Sequence, residues 1–165
     1  MKNVRSGNAL KCVSLFSGCG GLDAGMNEAG FDVLLGVDND PLCAKSHREN
    51  FPDSAFFEGS VSTLTLSAID SLTGGKASDG VDLLIGGPPC PPFSKSRFYR
   101  KEKPRALDDE LATDTIGGYL SVLSLLRPRA FLLENVPGMA YDVHRQALDW
   151  IVTDKMILRT LKRSP

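Results

Sequence analysis

Val13-Ser14-Leu15-Phe16, led in by Lys11 and Cys12, runs into Ser17-Gly18-Cys19-Gly20-Gly21 and then into apolar residues at Leu22, Met26 and Ala29. The first four residues read as a short buried strand and the glycines as a turn. The 22/26/29 spacing marks one face of a helix, for which Gly30 is a natural stop. Strand, glycine turn and helix in that order open an α/β unit, and the chain repeats the pattern. Phe31 to Val37 (FDVLLGV) reads as a second strand ending at Asp38-Asn39-Asp40. Asp40 suits an N-cap and Pro41 the first position of a helix to about Asn50. Ala55 to Glu58 is a third strand, closed by Gly59-Ser60. Between Val61 and Leu72, residues Leu64, Ile69 and Leu72 can share a helical face, although the serines and threonines there favour turns. Thr73 to Gly80 reads as a surface loop, Val81 to Ile85 as a fourth strand, Thr115 to Leu126 as a helix despite Gly117 and Gly118, and Arg129 to Leu133 as a fifth strand. Val143 to about Leu161 is loosely helical, with a basic end at Lys155, Arg159, Lys162 and Arg163.

Alternating strands and helices predict a Rossmann-like α/β fold, a mainly parallel sheet with helices on both faces. Ligands of such sheets bind beyond the carboxyl ends of the strands. That rule lines up the Gly18 to Gly21 turn, Asp38, Ser60, Cys90 and Glu134 along one edge. The 165 residues, 42% of them hydrophobic, suffice for one domain with a proper core and are too few for two large ones. The expected division is a polar leader at 1–11, a cofactor-binding and catalytic domain at 12–141, and a helical, basic tail at 142–165. A net charge of −1 excludes attraction of the whole surface to nucleic acid, so any polyanion site is local. The four cysteines, Cys12, Cys19, Cys43 and Cys90, form no CxxC pair and no His/Cys cluster at ligand spacing. Neither a metal site nor a disulfide framework is expected, and reduced thiols suit the cytoplasm. MKNVRSGNALK has no apolar core and no run approaches a membrane span, so a soluble protein without a membrane partner is expected.

The chemistry gathers at Gly86-Gly87-Pro88-Pro89-Cys90-Pro91-Pro92-Phe93-Ser94. Four prolines restrict the backbone around one cysteine, which is either a presented nucleophile or a small buried hydrophobe on a rigid turn. Glu134 at the end of the fifth strand is either a general acid or hydrogen-bond donor, or a strand-end cap. The glycine turn allows close backbone approach to a ligand, and an acid at the end of the second strand can accept from both hydroxyls of a ribose. The spacing FSGCGG is not GxGxxG, so an adenosine ligand without a pyrophosphate, S-adenosylmethionine, fits better. His47 and His144 lie in polar helical contexts and read as solvated surface, which argues against a Cys/His hydrolase. Lys95 to Arg105 carries six basic side chains and two aromatics directly after the cysteine, a local patch suited to phosphate contacts.

Taken in order, FSGCGGLDAGMNEAGF (Phe16 to Phe31), VDND (Val37 to Asp40), GGPPCPPFS (Gly86 to Ser94) and ENVPG (Glu134 to Gly138) resemble the DNA (cytosine-5) methyltransferase family, over about Cys12 to Gly138. The resemblance implies methyl transfer from S-adenosylmethionine to carbon 5 of a flipped-out cytosine in double-stranded DNA, in a restriction-modification setting. Cys90 would attack carbon 6 and Glu134 would hold ring nitrogen 3 and the exocyclic amine. Phe16, Ser17, Gly18, Cys19, Gly20 and Gly21 would line the cofactor, Asp38 would take the ribose hydroxyls, Asn39 and Ser60 would face the adenine, and Pro89 would orient cofactor and base. Ser94, Lys95, Arg97, Arg100, Lys101 and Asn135 would contact DNA. The chain departs from the family with Pro91 where Gln is usual, with Lys95-Ser96-Arg97 in place of small residues, and with Ser60 where an Asp is usual. Nothing after Gly138 resembles the QxRxR motif or a target-recognition domain. The sheet is therefore expected to be incomplete, with a second chain supplying the remainder in a split enzyme. The alternatives are a non-catalytic cofactor- or DNA-binding subunit, a decayed fragment, a compact variant with a different ending, or an RNA cytosine methyltransferase using the same motif set.

Overall fold

The computed structural model describes residues 9–89 and 113–137. Cys90, the charged stretch from Lys95 and the helix expected from Val143 lie outside the described residues, as do most of the leader and all of the 142–165 tail.

KCVSL (β1, Lys11–Leu15) buries every residue after the first and takes the middle of the sheet. A strand covered on both faces shows a continuous apolar run instead of alternation, and DVLLGVD (β2, Asp32–Asp38) is a second example. With β3 (Ala55–Glu58), β4 (Leu83–Gly86) and β5 (Ala130–Leu133) they form a five-stranded sheet of order β3-β2-β1-β4-β5. Every pairing is parallel, so the sheet of the described residues is wholly rather than mainly parallel. The chain moves outward from β1 through β2 to β3, then crosses to β4 on the other side. That reversal opens a crevice at the carboxyl ends of β1 and β4, the usual ligand position in such sheets.

Helices cover both faces. The turn after β1 leads into α1 (Gly21–Ala29), which ends at Gly30 in the left-handed region, where its N–H caps the Asn27 and Met26 carbonyls. Leu22 and Met26 of α1 pack on Cys12, Val33 and Ile85. α2 (Pro41–Asn50) starts as its sequence suggests, the Asp40 carboxylate accepting the Leu42 N–H at 2.8 Å. On the opposite face, Val13, Leu15, Leu35, Val37 and Leu84 meet Tyr119, Val122 and Leu123 of α4 (Gly118–Leu126) in the larger core.

Three expectations are corrected. The Val61 to Leu72 segment divides into a 3₁₀ turn (Val61–Thr63) and α3 (Leu66–Leu72), because the Thr65 hydroxyl caps the Ala68 N–H at 3.2 Å and starts a new helix. The helix expected from Thr115 begins instead as a π turn (Thr113–Gly117). Gly118 packs against the 3₁₀ turn, where a Cβ would stand at ordinary contact distance, 3.4 Å, from the Ser62 backbone. β4 starts at Leu83, not Val81, because the Asp82 carboxylate takes the Lys11 N–H at 2.8 Å and the Arg129 guanidinium at 3.0 Å. Burial would raise the Asp82 carboxyl, but those donors outweigh it and hold the group below the usual carboxylate range.

Candidate functional site

The strand registers bring the expected site together. Leu15 pairs with Val37 and with Gly86, Gly86 pairs with Leu133, and Asp38 pairs with Glu58. Each functional segment begins at those positions or within three residues beyond them, so the ends of β3, β2, β1, β4 and β5 present Ser60, Asp38, the glycine turn, the Gly86–Pro89 segment and Glu134 along one edge.

The turn is a strained, heavily bonded piece of backbone. Phe16 has φ 54°, and Gly18 and Gly20 have φ 55° and 92°. A bulky non-glycine residue in the left-handed region costs about 1–2 kcal/mol, tolerated here because the surroundings fix it. Ser17 donates its N–H to the Val37 carbonyl at 3.0 Å, and Gly20 donates to the Ser17 carbonyl at 2.9 Å. The Gly18 N–H reaches Asp38 Oδ2 at 3.0 Å, and Asp38 Oδ1 accepts the Asp40 N–H at 3.0 Å. Two backbone donors thus fix the half-buried Asp38 carboxylate, and a carboxylate with about four lone-pair sites still has acceptors for a ligand. Asn39, Cys19 and Gly21 are exposed.

The glycines have separate reasons. A Cβ on Gly20 would lie 2.0 Å from the Phe51 ring, so that position is required by packing. Gly21 is different: its φ is not left-handed and a Cβ there would meet nothing within 4 Å. The fold gives no reason for glycine at this position, and the open space leaves room for a ligand such as S-adenosylmethionine against the start of α1.

Across the crevice, Gly86 and Gly87 are also positions of close approach. A Cβ on Gly86 would lie 2.8 Å from the Leu15 carbonyl oxygen and 2.9 Å from the Tyr119 ring. The Tyr119 hydroxyl behind it reaches the carbonyls of Leu84 (3.2 Å) and Leu132 (3.1 Å), spanning β4 and β5. Burial, with Cys12 contributing, raises its phenol. A Cβ on Gly87 would lie 3.1 Å from Glu134 Oε2, so the first residues of the proline loop run directly beside that carboxylate. Asn135, expected at DNA, donates to the Pro88 carbonyl at 3.2 Å and accepts the Val136 N–H at 2.9 Å, bracing the loop that leads to Cys90. Glu134 is exposed, as is Pro89. The Ser60 hydroxyl caps the 3₁₀ turn through Ser62, with oxygens 2.8 Å apart. Cys90, Ser94, Lys95, Arg97, Arg100 and Lys101 lie outside the described residues.

One residue read as surface is not. His47 is fully buried, with Nε2 2.6 Å from Oδ2 of the equally buried Asp23. Helix α2 turns only Ala44 and His47 fully inward, and the imidazole takes the place a larger apolar side chain would hold.

The thiols around the site differ in reactivity. Burial, then the neighbouring Asp23, pushes Cys12 up to about 12. At pH 8 roughly one Cys12 in ten thousand would be thiolate. Cys43 is raised by desolvation, by Asp38 and Asp40, and by the adjoining Cys19 thiol with which it hydrogen-bonds. Among these three thiols, peptide mapping after brief alkylation of the native protein at pH 8 should find Cys19 labelled before Cys43 and Cys12 only after unfolding. Rapid native labelling of Cys12 would contradict its burial.

A family model described as C-5 cytosine-specific DNA methylase matches residues 10–156. The Type II methyltransferase M.AquIA of Picosynechococcus sp. is 37% identical over 145 residues, covering 87% of this chain and 55% of M.AquIA. M.XorII of Xanthomonas oryzae pv. oryzae is 37% identical over 140 residues, covering 85% of this chain and 31% of that protein. Among solved structures, a DNA modification methyltransferase encoded within a prophage (E. coli) superposes with a TM-score of 0.68 at 32% identity, over 87% of this chain and 38% of the other. A DNMT2 from Spodoptera frugiperda gives 0.61 at 24% identity over 87% of this chain and 41% of the other, a likeness of fold. The chain therefore spans about half the length of M.AquIA and about a third of M.XorII.

Proposed function

Because the chain belongs to the C-5 cytosine-specific DNA methylase family, we propose that it carries the cofactor-binding and nucleophile-bearing part of an enzyme that moves a methyl group from S-adenosylmethionine to carbon 5 of cytosine in double-stranded DNA. The observation that supports this reading most is the single edge on which the glycine turn, Asp38, the Gly86–Gly87 approach and Glu134 stand together. The cofactor supplies an electrophilic methyl on a sulfonium. The turn from Phe16 to Gly21 and the Asp38 carboxylate would hold its adenosine and amino-acid portions, with Asn39 beside the adenine. Ser60 would replace a carboxylate poorly, since its hydroxyl already bonds Ser62.

The reaction needs an aromatic carbon made nucleophilic. Cys90 would add as thiolate to carbon 6, pushing the electron pair toward ring nitrogen 3, where Glu134 would donate a hydrogen bond or a proton. Carbon 5 would then take the methyl as its bond to the sulfonium breaks and leaves a neutral thioether, and loss of the carbon 5 proton to a base would expel the Cys90 thiolate. Glu134 is exposed, so the desolvation that suits a carboxyl to donate would come from the flipped base itself. Ser94, Lys95, Arg97, Arg100 and Lys101 would bind the phosphates on either side, while Asn135 would hold the loop. The cytosine must leave the stack at a cost of about a few kcal/mol, offset by these contacts. No described helix is long and apolar enough to cross a membrane.

A second reading rests on length. Since the chain spans 55% of M.AquIA, the remaining motifs would come from elsewhere, either a second chain or further sequence. Without them the chain would be a cofactor- or DNA-binding module that does not turn over.

Calorimetric titration of the chain with S-adenosylmethionine tests the cofactor site directly. Saturable binding is expected, and Asp38→Ala should weaken it about thirtyfold, the roughly 2 kcal/mol typical of hydrogen bonds to a charged group. A folded chain that shows no saturable binding would overturn the proposal. Methyl transfer to DNA once the remaining motifs are supplied separates the enzyme from the module.

A further inference from the structure

Asp23 of α1 and His47 of α2 form a buried ionisable pair with no part in the chemistry above. Both side chains are 0% exposed, with 2.6 Å between Nε2 and Oδ2. Their outer atoms, Asp23 Oδ1 and His47 Nδ1, have no hydrogen-bond partner among the described residues. The imidazole packs against the Phe51 and Phe56 rings, with centroids 4.7 and 4.8 Å away, and against Gly36, where a Cβ would lie 2.7 Å from Nε2. Buried polar atoms left unbonded oppose folding, and an apolar pair of similar size is often as stable as a buried ion pair or more so. What an apolar pair cannot supply is direction.

The direction matters because of where the bond lies. Asp23 stands three residues after Gly20, in the first turn of α1. His47 accepts the Phe51 N–H on its carbonyl at 2.8 Å, and the Phe51 ring covers Gly20 so closely that a Cβ would lie 2.0 Å from it. Gly20, Asp23, His47 and Phe51 thus form a closed circuit on one side of the turn. On the other side the Gly18 N–H is fixed by Asp38 at 3.0 Å. The backbone that meets the cofactor is held from both sides.

We propose that Asp23 and His47 are a positioning pair for the cofactor turn: their bond sets the start of α1 against α2 and thereby the place at which the backbone from Ser17 to Gly21 meets S-adenosylmethionine. This rests on the cofactor reading given above. The pair is retained for geometry and not for stability, so the two properties separate on mutation.

The test uses the full chain, thermal melting, and titration with S-adenosylhomocysteine. The combined variant Asp23→Val with His47→Met is expected to melt no lower than the parent yet bind at least tenfold more weakly. His47→Gln, which can still reach Asp23, should bind more tightly than His47→Met, which cannot. Parental affinity in the folded double variant, or equal affinity of His47→Gln and His47→Met in their folded fractions, overturns the proposal. Absence of binding by the parent chain overturns the cofactor reading itself, and the proposal with it.

Discussion

A chain carrying Cys90→Ser is expected to transfer no measurable methyl group to DNA while binding S-adenosylmethionine as the parent does. Cytosine carbon 5 is too weak a nucleophile until carbon 6 is saturated, and that addition needs a soft, largely ionised nucleophile. Serine, at its free pKa and with no histidine among the residues assigned to the site, is neither. A loss of at least about a thousandfold is expected, equivalent to roughly 4 kcal/mol of barrier. The start of the loop is fixed on the side where this chemistry would occur. Gly87 lies against the Glu134 carboxylate, with 3.1 Å between a Cβ there and Oε2, and Asn135 holds the Pro88 carbonyl at 3.2 Å. The check is transfer of labelled methyl to unmethylated duplex DNA, in a preparation where the parent turns over. A 5-fluorocytosine duplex adds a second readout, since fluorine cannot leave as a proton does and the Cys90 adduct would persist. The parent should form a covalent complex and Cys90→Ser should not. Retained transfer would mean that another group, or another mechanism, does the work.

The parts of this fold that were legible in the sequence are those where one local cause decides the outcome. Gly30 stops α1, and Asp40 with Pro41 starts α2, because a left-handed residue or a capping carboxylate acts within one turn. The meeting of Asp38 with the glycine turn was legible because the residue ends one strand and the turn ends its neighbour, and its carboxylate takes the Gly18 N–H. What escaped was decided between elements. PLCAKSHREN looks like a polar surface helix, and nothing in it announces that His47 meets Asp23, 24 residues earlier. A weak signal existed in Gly36. A glycine inside the apolar run of β2 marks a close approach, and here the thing approaching is the imidazole. The bond of Ser60 to its own turn was not read either: a hydroxyl at the start of a turn is drawn to the free N–H groups of that turn, here Ser62. The start of β4 moved for a similar reason, since the Asp82 carboxylate takes the Lys11 N–H that a backbone carbonyl would have accepted, while the Asp82 backbone still bonds Lys11 and Ala130.

Gly20→Ala and Gly21→Ala, one residue apart, should fail in opposite ways. At Gly20 the methyl group would lie 2.0 Å from Phe51 Cε2, and the backbone has φ 92°. Left-handed strain of about 1 kcal/mol adds to about 2 kcal/mol of overpacking, for a loss of roughly 3 kcal/mol. In a chain of this size that lowers the melting midpoint by roughly 10 °C. Relief can come only through movement of Phe51, and with it the end of α2 that carries His47, so cofactor affinity should fall as well. At Gly21 the methyl meets nothing within 4 Å, and alanine is the better helix former by roughly 0.5–1 kcal/mol. That variant should melt at or slightly above the parent temperature. If the open space over Gly21 belongs to the cofactor, its affinity for S-adenosylmethionine should nevertheless drop. Melting curves and titrations of the two variants decide the matter together. Parental affinity in Gly21→Ala would show that the space is not used by the ligand, and the glycine turn would then be a feature of the fold alone.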